Sequence, residues 1–251
     1  MSEHLVEVGR DGAVCTLLLN REQKLNALSS ALERELQDAL ASDAVRTSAC
    51  VVIAGNGRAF SAGADITEFA ERTPEAVLAY YRETGDVYEQ VAALAQPTLS
   101  AIHGYCLGGG LELALATDFR IADETAVFGF PEVGLGILPS SGGTHRAVRL
   151  LGPARAKELI LLRDRLTAAE ALAAGLVTEV VAAGRARERA LELAHGLAAL
   201  PATAVAVTKG TIDAATDASR EAALLIERLA YGLLAQTRDA QTAADEFGGS
   251  R

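Results

Sequence analysis

The chain of 251 residues is short of three things, and each shortage closes off a class of function. It has only three cysteines, Cys15, Cys50 and Cys106, odd in number and without C-x-x-C spacing, so neither a disulfide framework nor a zinc site is indicated and all three read as buried thiols. It has no surplus of basic charge: 23 Lys and Arg stand against 33 Asp and Glu, a formal charge of −10, with no dense basic run to wrap a polyanion. Nucleic acid is therefore not expected as a partner. It also lacks long apolar runs, since no stretch reaches about eighteen uninterrupted apolar residues, and Met1-Ser2-Glu3-His4-Leu5 does not begin a basic leader. The expectation is a soluble, cytoplasmic protein without a membrane partner. Several catalytic signatures are missing too. There is no Walker sequence and no G-x-S-x-G elbow, and Gly55-Asn56-Gly57-Arg58-Ala59-Phe60 opens like a dinucleotide fingerprint but puts Phe60 at its third glycine.

What is present is apolar residue, half of the total, in a chain long enough to bury a large core. The first two-thirds alternate β-rich runs with helical periodicity, which predicts an α/β layer architecture. Strands are expected at Ala13–Leu19, Ala49–Ala54, Thr98–His103, Phe119–Ala122 and Leu176–Val181. Helices are expected at Asn26–Ala41, where Leu28, Leu32, Leu36 and Leu40 recur every fourth residue, and at Pro74–Ala95. Thr167-Ala168-Ala169-Glu170 has the form of a capping box, with Gly175 as the stop. Beyond Gly184 only helical patterns remain, at Ala186–Leu200, Ala202–Ala215, Arg220–Leu234 and Asp239–Phe247, which suggests a core over 1–184 and a helical region over 185–251. The apolar faces of these helices exceed what they can hide among themselves, so they are expected to cover the first part or another subunit. No internal repeat is visible in the residues.

Two glutamates carry the chemistry. Glu112 lies in Gly104-Tyr105-Cys106-Leu107-Gly108-Gly109-Gly110-Leu111-Glu112, and Glu132 in Phe128-Gly129-Phe130-Pro131-Glu132-Val133-Gly134. Neither has a Lys or Arg within five residues, and burial without a cation raises a carboxyl pKa toward neutrality, where it can carry a proton. Two such groups can give a proton and take one in the same cycle. Ser61-Ala62-Gly63-Ala64-Asp65-Ile66 and Gly108-Gly109-Gly110 each lead into a helical stretch, where backbone N–H groups without an internal partner can hold a negative oxygen. The bland alternative for a lone Gly-Gly-Gly is a tight turn. Ser140-Ser141 before His145, and His103 before Cys106, could suggest nucleophiles, but a helix cap with a surface histidine and an apolar strand-turn account for them more simply.

Together these segments resemble the enoyl-CoA hydratase (crotonase) family over nearly the whole chain. The resemblance rests on Leu19 to Leu28, on Phe60 to Ile66, on Gly104 to Leu115, on Pro131 to Pro139 and on Gly142-Gly143-Thr144. It implies a crotonase-type spiral of β-β-α repeats with a C-terminal helical trimerisation region, in homotrimers often paired into hexamers. It also implies an acyl-CoA thioester substrate, with coenzyme A as part of that substrate and neither a separate cofactor nor a metal. Carried over by position, the N–H groups of Ala64 and Gly109 would form an oxyanion hole, and Glu112 and Glu132 would be the catalytic pair, Glu112 activating water and Glu132 delivering the proton. Arg21, Lys24, Ala62, Asp65, Ile66 and Gly108 would contact substrate or coenzyme A. The implied reaction is hydration of a 2-enoyl-CoA; the alternatives are isomerase, dehydratase or hydrolase chemistry on an acyl-CoA, or a silent acyl-CoA-binding paralogue. The chain departs from the family pattern at His145, where glutamine is usual, and in a short C-terminus that leaves a lysine contact to coenzyme A in doubt.

Overall fold

A computed structural model describes residues 4–68, 73–83, 86–162 and 164–248. The strands are β1 Val6–Asp11, β2 Val14–Leu19, β3 Cys50–Gly55, β4 Thr98–Ile102, β5 Tyr105–Leu107, β6 Phe119–Asp123, β7 Val127–Gly129, β8 Leu166–Thr167 and β9 Glu179–Val181. The α-helices are α1 Ser30–Ala41, α2 Asp43–Arg46, α3 Pro74–Glu83, α4 Val87–Ala92, α5 Gly109–Ala116, α6 Gly143–Lys157, α7 Ala168–Ala173, α8 Ala186–Ala198, α9 Ala202–Ala215, α10 Arg220–Leu234 and α11 Arg238–Gly248.

Six strands form one sheet in the order β1-β2-β3-β4-β6-β9, antiparallel only between β1 and β2. Parallel strands are covered on both faces, so β3 reads as an unbroken apolar run, and in β4 even Thr98 and Ser100 are buried. A smaller layer of β5, β7 and β8 is continued by single parallel bridges between Ser61 and Cys106 and between Leu28 and Ala64. Each turn of chain thus gives a strand to the large sheet, a short extended piece to the small layer, and a helix: β4, β5 and α5, then β6, β7 and α6. The repeat lies in backbone geometry, which is why the residues do not display it. Its corner between β4 and β5 needs glycine, because Gly104 has φ +55° and a Cβ there would meet Arg58 O at 2.1 Å.

The main core, with Leu17, Leu32, Leu36, Ile53, Phe60, Leu111 and Phe128, fills the space between the two layers and α1, α4 and α5. On the outer face of the large sheet, Ala190 and Ala194 of α8 pack with Val52, Leu99 and Ile121. The first helix beyond Gly184 is therefore part of the sheet's cover, whereas α9 and α10 bury no residue completely and leave Leu225, Leu229, Tyr231 and Leu233 exposed. Among the described residues no single helix is long and apolar enough to cross a membrane.

Several elements differ from the sequence-based expectation. β1 was not anticipated, since its burial pattern alternates on neither face. The helix expected from Asn26 starts at Ser30, because Leu25 and Asn26 take positive φ and Ser29 caps it by accepting from Leu32 N at 3.2 Å. The helix expected over Pro74–Ala95 is two, α3 and α4. The last strand is confined to Glu179–Val181, since Leu176 N already donates to Ala171 O at the end of α7.

Candidate active site

Two loops meet at the N-terminal end of α5. The first, Ala59 to Asp65, follows β3 and is stitched to the loop around Asn26. The Asn26 amide is wholly buried; its Nδ2 donates to Asn56 O (2.9 Å) and Ala59 O (2.8 Å), and its Oδ1 accepts from Arg21 N (2.9 Å). Asparagine tolerates the φ of 54° that this requires. Ser61 Oγ donates to Asn26 O (2.8 Å) and accepts from Gly63 N (3.2 Å). Leu28 N donates to Gly63 O (2.8 Å) and Asp65 N to Leu28 O (2.9 Å), which brackets Ala64 on both sides. Among the described residues the Ala64 N–H itself donates to nothing.

The second loop ends at Gly108, whose φ of 51° turns β5 into α5. Gly109 is the first residue of that helix, so its N–H has no intrahelical acceptor. The two N–H groups are neighbours: a Cβ built on Gly109 would stand 3.4 Å from Ala64 N, and one built on Gly63 would stand 3.5 Å from Gly109 N. The other end of α5 is held by Arg120, which donates to Thr117 O at 2.6 Å and to Leu176 O at 2.8 Å, a cation where the helix dipole favours one.

One turn into α5 stands Glu112, 3% exposed. Its Oε1 accepts from Ser141 N (2.7 Å) and Gly143 N (2.8 Å) at the start of α6. Burial pushes its carboxyl above the usual range, opposed by those two N–H donors and by the charge of Arg146. Glu132 occupies the first position of a 3-10 turn, Glu132–Leu135, and is 8% exposed. Its Oε2 is buried and accepts no hydrogen bond among the described residues. Burial, reinforced by the charge of Glu112, brings its carboxyl up to about 7. The charge of Glu112 is thus felt at Glu132, and Glu112 is anchored from α6 while the Oε2 of Glu132 is not. Beside Glu132, a cavity of about 200 Å³ is lined by Leu107, Gly129, Phe130, Pro131, Leu162 and Arg165. A larger groove, about 1060 Å³, lies away from both glutamates between α9 and the core, against Pro97, Phe119, Leu197 and Ile212.

The remaining residues singled out from sequence fall into place around this centre. Arg21 Nη1 is paired with Asp65 at 2.7 Å and donates to Ala27 O at 3.1 Å, so these two charges answer each other in the structure. Asp65 is held low, first by the Thr67 hydroxyl and then by Arg21. Lys24 is exposed at the end of a 3-10 turn, Ala62 is half-buried, Ile66 is 57% exposed and Gly108 is buried. The nucleophile alternatives lack geometry. His103 Nε2 lies 3.0 Å from Gly57 O, and the Cys106 thiol, raised by burial, points to Gly110 O at 3.6 Å. α6 is capped by Gly142 rather than by a serine, His145 is exposed, and Ser141 contributes its backbone N–H. Sequence reasoning missed the two N–H donors to Glu112 and the structural part of Asn26. The signals were the Gly142-Gly143 pair at a helix start and an asparagine at a forced turn.

A model of the enoyl-CoA hydratase/isomerase family matches residues 9–250. The chain belongs to that family. Among enoyl-CoA hydratase/isomerase relatives it is 39% identical to a Rhizobium meliloti (strain 1021) protein named "Probable enoyl-CoA hydratase", covering 100% of this chain and 97% of the relative. It is 38% identical to the 2,3-dehydroadipyl-CoA hydratase of Escherichia coli (strain K12), covering 98% and 96%. The solved structure of the enoyl-CoA hydratase from Bacillus anthracis superposes with a TM-score of 0.91 at 38% identity, covering 98% of this chain and 97% of that one. The α/β spiral with C-terminal helices is thus the fold of this enoyl-CoA hydratase/isomerase chain, as the resemblance of its motifs implies.

Proposed function

We propose that the chain is an enoyl-CoA hydratase that adds water reversibly, in syn fashion, across the double bond of a 2-enoyl-CoA thioester. The observation that carries this reading is the pairing of an anchored buried carboxylate, Glu112, with one near neutrality whose Oε2 has no partner among the described residues, Glu132, beside two N–H groups that donate to nothing among those residues. In the proposed cycle the thioester oxygen accepts from the Ala64 and Gly109 N–H groups, which hold the charge that develops on it as the enolate forms. The free end of the α5 dipole adds to that hold. Glu112 takes a proton from water as its oxygen bonds to C3, and Glu132, about half protonated at neutral pH, gives its proton to C2. The proton gained by Glu112 then returns to Glu132, and both carboxylates are restored.

The reading asks for no cofactor beyond the coenzyme A of the substrate. Arg21, Lys24, Ala62, Asp65, Ile66 and Gly108 are proposed to line or support the thioester and its coenzyme A. The free, buried thiols Cys15, Cys50 and Cys106 fit a cytoplasmic setting. The exposed apolar residues of α9 and α10, Ile212, Leu225 and Leu229 among them, fit a homotrimer or a hexamer of paired trimers.

The test is incubation with crotonyl-CoA and with a longer 2-enoyl-CoA, followed by mass analysis of the product. A gain of one water supports hydration. Loss of conjugation without a mass change would assign an isomerase instead, and an unchanged thioester that stays bound would assign a silent paralogue.

A further inference from the structure

The N-terminal end of α1 is tied to both halves of the N–H pair, through Leu28 just before it and through Tyr88 of α4. Leu28 brackets Ala64 through the bonds described above, and Ser30, the first residue of α1, donates from N (2.9 Å) and Oγ (2.6 Å) to Glu68, just past that loop. One turn further on, Glu33, 1% exposed, accepts hydrogen bonds from Tyr80 Oη on α3 and from Tyr88 Oη on α4, the latter at 2.8 Å. Tyr88 then reaches α5: its hydroxyl oxygen would lie 3.3 Å from a Cβ on Gly109, on the face where Ala64 N lies at 3.4 Å and Leu28 Cδ1 at 3.4 Å. A carboxylate in such a place is not needed for packing. Apolar side chains of similar volume often serve stability as well or better than a buried ion, whereas a satisfied polar network fixes one arrangement.

We propose that Glu33 is a positioning residue for the N–H pair, holding Tyr88 against Gly109 and so setting the separation of the Gly109 and Ala64 N–H groups. The inference rests on the acyl-CoA reading of the site. Hydrogen-bond donors aimed at a developing charge lose much of their effect when displaced by a fraction of an ångström, so the network acts on turnover more than on binding.

The experiment uses Tyr88→Phe, which keeps the ring, Glu33→Gln, and the apolar triple variant Glu33→Leu/Tyr80→Phe/Tyr88→Phe. Each is measured for Tm, for kcat and KM with crotonyl-CoA, and for the carbonyl stretch of bound butyryl-CoA, a saturated thioester that cannot be hydrated. The expected result is a kcat lower by roughly 10- to 100-fold with KM within about threefold. The carbonyl shift seen in the wild type should shrink in parallel, including in any variant whose Tm matches the wild type. Wild-type kcat and carbonyl shift in Tyr88→Phe and Glu33→Gln, or their recovery in the triple variant together with Tm, would overturn the proposal and leave a purely structural network. A wild type that binds and polarises no thioester would overturn the acyl-CoA reading itself.

Discussion

Gly143 and Glu112 are fitted so closely that the Gly143 N–H donates to Glu112 Oε1 at 2.8 Å while a Cβ on Gly143 would stand 2.7 Å from the same oxygen. The carboxylate proposed as the base is therefore aimed by a residue that admits no side chain. Gly143→Ala should push Glu112 aside, lowering kcat by roughly 10- to 100-fold and stability by about 1–3 kcal/mol. Steady-state kinetics and urea unfolding check this, and unchanged kcat would show that Glu112 needs no such aim.

Glu132 gives a pH dependence of definite sign. Its carboxyl is raised in the folded state from 4.5 to about 7, so the folded chain holds this proton more tightly than the unfolded chain does. That advantage is lost as pH rises from the unfolded value to the folded one, and above pH 7 ionised Glu132 weakens the fold by about 3 kcal/mol. Glu132→Gln should then be more stable than the wild type at pH 8 and gain little at pH 4. Parallel unfolding curves at the two pH values decide it.

The same group sets the rate profile. With Glu132 as the acid, kcat for hydration should fall about tenfold per pH unit well above neutrality. A flat profile to pH 9 would remove Glu132 from proton delivery.

Arg21 and Asp65 form one coupled unit, with side chains only 17% and 10% exposed. Arg21→Met and Asp65→Asn should each destabilise the chain, and the double variant should cost less than the sum by about 0.5–3 kcal/mol. Strict additivity would show that the two charges act separately.

The elements most legible in the sequence were those whose residues agree with their neighbours. β3 announces itself as an apolar run and β2 and β4 as mainly apolar, β-branched ones, and the Thr167 capping box forms as its residues dictate. What could not be read depends on partners remote in the chain. Asn26 looks helical locally, yet Asn56 and Ala59 draw it into a left-handed turn thirty and more residues away. β1 exists because β2 offers an edge. The glutamates were visible because carboxylates amid glycine and apolar residues are conspicuous. Their inequality was not, since Ser141 and Gly143 anchor Glu112 from the start of another helix and among the described residues no such group reaches Glu132 Oε2.

The central claim is that Glu112 and Glu132 act as one proton-handling pair on a 2-enoyl thioester. The most direct measurement is kcat for water addition to crotonyl-CoA by the wild type, Glu112→Gln, Glu132→Gln and the double variant. The account predicts rapid hydration by the wild type, a loss of at least about a thousandfold in each single variant, and a double variant scarcely slower than either, as for groups that work as a unit. Near-normal turnover in either single variant would contradict it.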